Sequence, residues 1–459
     1  MVALGALILV VAVVVSGLGG GLPQPPAPTV ADSAGPGDPF AYRSSQAGDF
    51  VARATAGNAR PLFALSPGGV MATAARVAAF RPRIDHATAG TGIDPNLVEG
   101  LVFLESAGRP QVIAGSDPAD AAGLTQILAA TGQSLLGMHI DLASSRRLTR
   151  QIDAVAGGTR RGRLGRLLAR RAAADDRFNA SKALAATVRY LKIARGQFGR
   201  QDLAVESYHM GIGNLHQVLA DYDGGRSVPY AQLYFDSAPT RHATAYRRLA
   251  GFGDDSWTYY WRVLAAVDIM RLWRTDRAAL RRVNDLEFAD DAGGSVLHPR
   301  AAPFADPAAL AAAYQSHAIV PLPSNARALG LVVDPAMGTG ARSVGAPRSL
   351  YRGLRPEALR FLIQLAAQVR RVSGERSPLR IAATVQDEKF QTQAGISDPL
   401  AATGWSFAVQ RRYGSRAQAA AFQAILDRLQ SLNLIAWARE PDVIRITVAS
   451  DATSWLRRG

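Results

Sequence analysis

Glu105 and Ser106 end an apolar run, LVFLES, and a small residue and a glycine follow at once. Asp94 and Pro95 can start a helix here, because aspartate is a good N-cap and proline fits the first turn. Glu105 would then lie beside the buried stripe of that helix, in its last turn. Partial desolvation and the negative end of the helix dipole both raise the pKa of a carboxyl group in this place. Such a residue could act as a general acid near neutral pH.

A glutamate at a helix end is more often a surface residue, but three later stretches change that interpretation. They read AAGLTQI, NASKALAATVRYL and ESYHMGIGN, and a fourth, TYYWRVLAA, follows them. Their candidate polar and glycine positions are Gln126, Asn179, Tyr208, His209, Gly211 and either Tyr259 or Tyr260. Each short motif is weak alone, whereas four in a fixed order are specific.

In order and approximate spacing, these motifs resemble those of the soluble lytic transglycosylases, a lysozyme-like family that acts on peptidoglycan. The family carries E-S, G-L-M-Q-I, N-I-x-x-G-x-x-Y-L and A-Y-N-A-G-x-G, and the resemblance covers about residues 70–273. It implies an all-α lysozyme-like domain that needs no metal or cofactor. The implied reaction cleaves the β-1,4 bond between MurNAc and GlcNAc and leaves a 1,6-anhydromuramic acid end.

The resemblance also implies a role for each matching residue. Glu105 would be the sole acid/base, protonating the glycosidic oxygen and then deprotonating the C6 hydroxyl of muramic acid. Tyr208 matches the tyrosine that positions the glutamate, and Gly211 would offer a backbone amide to the sugar. The full set expected to bind substrate is Ser106, Gln126, Tyr208, His209, Gly211 and Tyr259, with Tyr260 as the second choice for the last tyrosine.

Three departures from the family pattern leave alternatives open. Thr125 replaces a methionine, His209 replaces an asparagine, and Glu206 stands where a small residue is common. If Glu206 supplied a second carboxylate that holds a water, the enzyme would be a hydrolytic, inverting muramidase. A non-catalytic peptidoglycan-binding protein is the alternative outside the enzyme class.

The first 45 residues indicate export. Residues 1–22 are almost wholly apolar and predict a signal peptide or an N-terminal membrane anchor, and residues 23–45 form a Pro/Gly/Ala-rich tether. We therefore expect an extracytoplasmic protein of the cell envelope, secreted or anchored. The chain has no cysteine, which excludes disulfides and thiol catalysis.

The charge balance predicts a polyanionic environment, since the formal net charge is +15. Residues 144–171 hold many of the arginines and predict two short helices split by Gly157 and Gly158. This insert is either a solvated helical hairpin or a surface that binds anionic wall polymers or lipid headgroups. Nucleic acid is disfavoured, because the arginines are not interleaved with stacking aromatics. The oligomeric state is not determined.

The periodicity divides the rest of the chain into a helical domain at 46–285, a linker or irregular edge at 286–344 and an α+β domain at 345–459. Apolar stripes predict helices in the first domain at Met71–Phe80, Pro95–Leu104, Ser181–Phe198 and Trp261–Trp273. In the last domain, the predicted elements are helices at Arg355–Arg371 and Arg416–Leu432 and strands at Leu379–Thr384, Leu434–Ala438 and Val443–Val448.

The last domain resembles zinc D-Ala-D-Ala carboxypeptidases, but its metal ligands are missing. That family needs S-x-H-x-x-G-x-x-x-D and E-x-x-H, because zinc requires two histidines and a carboxylate. Here Ala401, Ala408 and Val443 stand at those positions, while Gly404 and Glu440 remain. The resemblance implies a degenerate peptidase domain kept for binding wall peptide or for structure; an unrelated α+β module is the alternative.

Overall fold

The computed structural model describes residues 40–156, 161–288, 297 and 301–457. One compact unit is Tyr42–Phe288, and a second contains Ala289–Gly459. The described chain is mostly helical, with a smaller sheet-containing C-terminal region, as the sequence predicts. The predicted signal or anchor segment and residues 23–39 of the tether lie outside the described residues. Among the helices that are described, none has the length and apolarity needed to cross a membrane.

The first unit is built from helices. In chain order they are α1 (Ala47–Gly57), α2 (Arg60–Ala64), α3 (Val70–Ala78), α4 (Arg81–Thr88), α5 (Pro95–Ser106), α6 (Ala129–Ser134), α7 (Leu142–Ala156), α8 (Arg161–Ala174), α9 (Ala180–Phe198), α10 (Gln201–Met210), α11 (Ile212–Asp223), α12 (Tyr230–Asp236), α13 (Ala243–Gly251), α14 (Tyr259–Thr275) and α15 (Arg277–Phe288). The four helices predicted from apolar stripes are confirmed as α3, α5, α9 and α14.

Local sequence signals set both ends of helix α5. Asp94 accepts a hydrogen bond from the Asn96 amide at 2.8 Å, as an N-cap does. After Ser106 the backbone turns left-handed at Ala107, with φ of 54°, and the helix ends. Gly108 follows with φ of 71°, and a Cβ there would lie 2.8 Å from the Val77 amide nitrogen. The glycine therefore lets the end of α5 pack directly against α3.

A second glycine sets the close pairing of α5 with α14. A Cβ on Gly100 would lie 2.8 Å from the carbonyl oxygen of Val263, so the two helices meet at backbone distance. Glu99, just before this glycine, pairs with Arg274 near the end of α14. Glu105, later in α5, meets Tyr259 at the start of α14. The helices are therefore antiparallel, and Gly100 fixes how closely they approach.

The Arg-rich insert forms the helices α7 and α8, which pack on each other through a small apolar core. Leu148 and Ile152 of α7 and Leu167 of α8 are its buried members. The predicted break at Gly157 and Gly158 lies outside the described residues.

The second unit combines helices with a sheet. Its elements are α16 (Pro307–Gln315), β1 (Val320–Pro321), β2 (Leu331–Val333), β3 (Gly353–Leu354), α17 (Pro356–Ser373), β4 (Leu379–Ala383), α18 (Glu388–Ala394), β5 (Ser406–Gln410), α19 (Arg416–Ser431), β6 (Ile435–Arg439), β7 (Val443–Val448) and α20 (Ala452–Arg457). The five-stranded sheet has the order β2-β4-β5-β7-β6, in which β2 and β4 are parallel and the other pairs antiparallel.

The segment 286–344 differs from its prediction as a linker or irregular edge. From Ala301 onward it contributes α16, β1 and β2, and Leu310 and Tyr314 of α16 are buried in a core shared with residues beyond 344. The short strands and the alanine-rich helix carry too little periodicity to be recognised from sequence. The described part of this segment belongs to the α+β unit.

Candidate active site around Glu105

Glu105 is held by a single side chain, Tyr259 at the start of α14. The Tyr259 hydroxyl donates a hydrogen bond to Glu105 Oε1. Tyr259 is buried, and burial together with the nearby Glu105 raises its pKa well above 10, so it remains a donor. Glu105 itself is half-buried, and its Oε2 has no hydrogen-bond partner among the described residues. One oxygen is therefore fixed, while the other is left for a ligand.

The pKa of Glu105 is raised to about 7. Burial is the main cause, because it disfavours the charged carboxylate, and the negative charge of Asp255 adds to it. The Tyr259 hydrogen bond and the positive charge of Arg262 act in the opposite direction. A carboxyl with this pKa is about half protonated at neutral pH, so it can both give and take a proton.

Arg262 does not neutralise Glu105 because it is engaged elsewhere. Its guanidinium pairs with the Asp255 carboxylate and donates to the Asp255 carbonyl at 3.2 Å. Asp255 also lies 3.8 Å from His209 Nε2, and His209 Nδ1 is 3.0 Å from Ser256 Oγ. The His209 ring in turn packs against Tyr259, with ring centroids 5.1 Å apart. Polar contacts therefore connect Arg262 to His209, and a ring contact connects His209 to Tyr259, which donates to Glu105.

Gln126 lies in a tight loop whose shape depends on a buried ion pair. Its Nε2 donates to the carbonyls of Gly123 at 2.8 Å and Val112 at 3.1 Å, and its φ is 48°. A Cβ on Gly123 would lie 1.9 Å from the Arg177 carbonyl, so only glycine fits there. The Gln126 side-chain oxygen has no partner among the described residues and remains an acceptor.

Arg177 fixes the shape of the Gln126 loop by hydrogen bonds to its backbone carbonyls. It is fully buried, pairs with Asp175 at 2.7 Å, and donates to the loop carbonyls of Pro118, Asp120 and Ile127. Breaking a buried pair of this kind is costly, since either charge would be left alone. Arg177 is a positioning residue that none of the sequence motifs includes, although it lies only two residues before Asn179.

Tyr208 lies near Glu105 without hydrogen-bonding it. Its hydroxyl donates to the Thr125 carbonyl at 2.8 Å and lies 3.2 Å from Thr187 Oγ1. Burial raises the pKa of Tyr208, and the charge of Glu105 raises it further. The contact that positions the acid, expected from Tyr208, is thus made by Tyr259. Tyr208 instead joins α10 to the Gln126 loop.

Two predicted substrate residues have their polar groups occupied. Ser106 is 2% exposed, and its hydroxyl donates back to the Val102 carbonyl at 3.3 Å. The Gly211 amide donates to the Ser207 carbonyl at 2.7 Å and ends α10. Gly211 has a φ of 88°, so its role here is the tight turn between two helices. The Ser106 hydroxyl and the Gly211 amide therefore both donate within their own helix.

Glu206 is fully buried on α10 and differs from Glu105 in having no open side. Its Oε2 accepts the Tyr260 amide at 2.9 Å, and the nearby Tyr230 hydroxyl donates to the Trp257 carbonyl at 2.7 Å. Burial raises the pKa of Glu206 to about 8. It is therefore mostly protonated at neutral pH and cannot serve as the base that activates a water.

The positions that resemble zinc ligands lie in the α+β unit and carry no donor side chains. Ala401 lies in a short 3-10 helix, Ala408 on β5 and Val443 on β7. Directly opposite Ala408 is Arg445, which pairs with Glu440 at 2.8 Å and Asp398 at 2.6 Å. Across the described residues there is no group of histidine, aspartate and glutamate arranged to hold a metal ion.

Comparisons with protein-family models and with curated proteins find no match to this chain. The assignment of a function therefore depends on the site residues and their geometry.

Proposed function

We propose that this protein is an exported lytic transglycosylase of peptidoglycan with a lysozyme-like helical domain and Glu105 as its single acid/base. The observation that carries the proposal is the state of Glu105: an unpaired carboxyl with a pKa of about 7, held on one oxygen by Tyr259. The motif residues Gln126 and Tyr208 support it, because the Thr125 carbonyl links Tyr208 to the loop that carries Gln126.

In the first step, protonated Glu105 gives its proton to the glycosidic oxygen between MurNAc C1 and GlcNAc O4. The C1–O4 bond breaks, and GlcNAc leaves with a free 4-hydroxyl group. The positive charge that develops at C1 faces a carboxyl that has just become negative. Tyr259 stabilises that negative charge by its hydrogen bond to Oε1.

In the second step, ionised Glu105 removes the proton of the muramic acid C6 hydroxyl, and that oxygen bonds to C1. The product is a 1,6-anhydro ring, no water is consumed, and Glu105 is protonated again. A pKa near 7 suits both steps, because neither protonation state is strongly disfavoured at neutral pH. The reaction requires no metal or cofactor.

A hydrolytic muramidase is the second candidate, and it requires another carboxylate. Glu206 does not suit this role, because it is buried and protonated at neutral pH. Asp255 is the better candidate, since its side chain is 52% exposed and its charge reaches Glu105. Both of its oxygens already face cationic or polar partners, however, and this favours the transglycosylase. A non-catalytic peptidoglycan-binding protein would not need a carboxyl held in this state.

The proposed partner is the peptidoglycan glycan strand, and the Arg-rich hairpin adds an electrostatic contact. Among the side chains that the structure describes there, five arginines are exposed: Arg147, Arg150, Arg163, Arg166 and Arg170. The apolar residues between them face the hairpin core, so the surface offers charge without an apolar face to insert. This composition favours binding to anionic wall polymers over insertion among lipids. We further propose that the C-terminal unit is a degenerate D-Ala-D-Ala carboxypeptidase-like domain.

The test is a digest of purified peptidoglycan by the wild type and by Glu105→Gln, with the products analysed by mass. We expect anhydromuropeptides from the wild type, about 18 Da lighter than hydrolysis products because no water is added. Glu105→Gln should lose at least about 10³-fold in rate, since it can neither donate nor accept the proton. Ser106→Ala is the matched control and should keep most of the activity. Reducing ends of normal mass would identify a hydrolase, and an active Glu105→Gln would refute the proposed mechanism.

A further inference from the structure

A cavity of about 590 Å³ lies in the α+β unit, beside strand β2. Its lining includes Pro321, Pro323, Arg327, Val333, Ser349 and Arg352. No aspartate or glutamate lines it, while two arginines do. The cavity is separate from the positions that resemble zinc ligands, because Ala401, Ala408 and Val443 are not part of its wall. A cationic pocket with apolar walls is suited to an anionic ligand that also has an apolar part.

The two guanidinium groups are free to bind an anion. Neither Arg327 nor Arg352 pairs with a carboxylate among the described residues, and Arg327 is exposed. Arg352 donates from Nη2 to the Met337 carbonyl at 3.3 Å, but its Nε is buried without a hydrogen-bond partner. A carboxylate that reached either guanidinium group would be held by a charge-assisted hydrogen bond.

β2 forms one wall of the cavity, and its described edge is open at Val333, since the Leu331 amide already donates to the Ala326 carbonyl at 2.9 Å. β2 pairs only with β4 in the described sheet. The Leu379 amide donates to the Gly330 carbonyl at 2.8 Å and the Asp334 amide to the Ile381 carbonyl at 2.9 Å. In a parallel ladder of this register, the N–H and C=O of Val332 both point toward β4. The N–H and C=O of the next residue, Val333, therefore point to the opposite side of β2, in the plane of the sheet. They point toward the side on which another strand could add.

We propose that this cavity binds a short extended peptide that carries a free carboxylate. The peptide would add along β2 by hydrogen bonds to Val333, and its carboxylate would be held by Arg327 and Arg352. Strand addition supplies main-chain hydrogen bonds, while pockets for alternate side chains supply selectivity. Pro321 and Pro323 offer an apolar wall for those side chains. A simple phosphate or acetate ion would use the arginines but neither the strand edge nor this wall.

The charge requirement is tested by fluorescence anisotropy on the full chain, with a labelled hexapeptide of alternating alanine and valine. Three forms of the peptide are compared: one with a free C-terminal carboxylate, one with a C-terminal amide, and one with an aspartate before the amide. They distinguish a carboxylate at the C-terminus from a carboxylate on a side chain. We expect one or both acids to bind about tenfold more tightly than the neutral amide. Equal binding of acids and amide would overturn the proposal. The proposal would also be overturned if inorganic phosphate binds to the protein and none of the peptides does.

Matched variants show whether the anion binds in this cavity. Arg352→Gln and Arg327→Gln should each weaken binding of the acid about fivefold to tenfold and leave the amide unchanged. Arg342→Gln is the control, because Arg342 is also exposed in this unit but does not line the cavity. If Arg342→Gln weakens binding as much as the other two, the attraction is general electrostatics and the proposed site is wrong.

The strand requirement is tested on the peptide, so that protein folding is not disturbed. Two hexapeptides are N-methylated at alternate residues, one at the odd and one at the even positions. In an added strand, the N–H groups of either the odd or the even residues point toward β2. Methylation of that set should lower the affinity at least about tenfold, and methylation of the other set should change it little. Equal affinity of both methylated peptides and the unmethylated one would refute strand addition.

Discussion

Two carboxyl groups of the helical unit and two of the α+β unit are held in opposite ways. In the helical unit, Glu105 and Glu206 have no cationic partner at hydrogen-bond distance among the described residues, and their pKa values are raised to about 7 and about 8. In the α+β unit, Asp398 and Glu440 share one cation, Arg445, at 2.6 and 2.8 Å. Arg445 lies opposite Ala408, at a place where the resembling family would assemble a metal site.

The difference shows what a carboxyl needs in order to exchange protons. A carboxylate fixed to an arginine stays charged, and its role is to hold strands and loops together. A carboxyl that is desolvated and left with only a hydroxyl donor is easily protonated and deprotonated near pH 7. Four predictions test this contrast, two on the stability of the fold and two on the pH dependence of cleavage.

Arg445→Met should destabilise the α+β unit by about 2–4 kcal/mol, because two carboxylates would lose their common cation. The measurement is urea unfolding followed by fluorescence. Arg439→Met is the control, since Arg439 is exposed on the neighbouring strand β6. If both variants lose the same stability, Arg445 is an ordinary surface charge.

Glu206→Gln should change how stability depends on pH. The folded pKa of about 8 lies above the ordinary value of 4.5, so the folded state keeps a proton that the unfolded state releases. Wild-type stability therefore falls as pH rises from 4.5 to 8, by up to about 1.4 kcal/mol per pH unit from this group. In Glu206→Gln that part of the slope disappears.

The measurement for Glu206→Gln is the free energy of unfolding at pH 5, 6, 7 and 8. Asp268→Asn, an exposed acid on α14, is the control and should keep the wild-type slope. An unchanged slope in Glu206→Gln would mean that this carboxyl is not protonated in the folded state at neutral pH.

Tyr259→Phe should lower the rate of peptidoglycan cleavage about tenfold or more, because a hydrogen bond to the charged Glu105 is lost. That bond lowers the pKa of Glu105, so its loss should move the alkaline limb of the pH–rate profile to higher pH. Tyr260→Phe is the control, since Tyr260 contacts Glu206 through its backbone amide. If the rate falls but the alkaline limb of the pH–rate profile does not move, Tyr259 contributes by packing and not by its hydrogen bond to Glu105.

Asp255→Asn should give the smallest effect, a shift of the alkaline limb to lower pH by less than about one unit. Removing this negative charge lowers the pKa of Glu105, and the released Arg262 lowers it further. Activity should persist under acidic conditions. A complete loss of activity at every pH would instead give Asp255 the second carboxylate role and favour hydrolysis.

The local features of the fold follow from the sequence alone. Helix α5 begins after the N-cap Asp94, at Pro95, and ends before the left-handed residues Ala107 and Gly108. The apolar period of α9 and α14 predicts the bounds of both helices to within two residues. These features depend on neighbours in the chain, so propensity and capping suffice. The absence of histidine after His317 likewise excluded the two-histidine zinc site of the resembling family from sequence alone.

Which distant groups meet depends on how the helices pack. Tyr259 lies 154 residues after Glu105, and the approach of α5 and α14 at Gly100 brings its hydroxyl to the acid in place of Tyr208. Glu206 on α10 is enclosed beside the start of α14, where its Oε2 accepts the Tyr260 amide, whereas Glu105 is half-buried. The edge strand β2 was missed because three residues carry no usable period. Burial and long-range contact set these outcomes, since the free energy of a charge depends on the atoms around it and not on its chain neighbours.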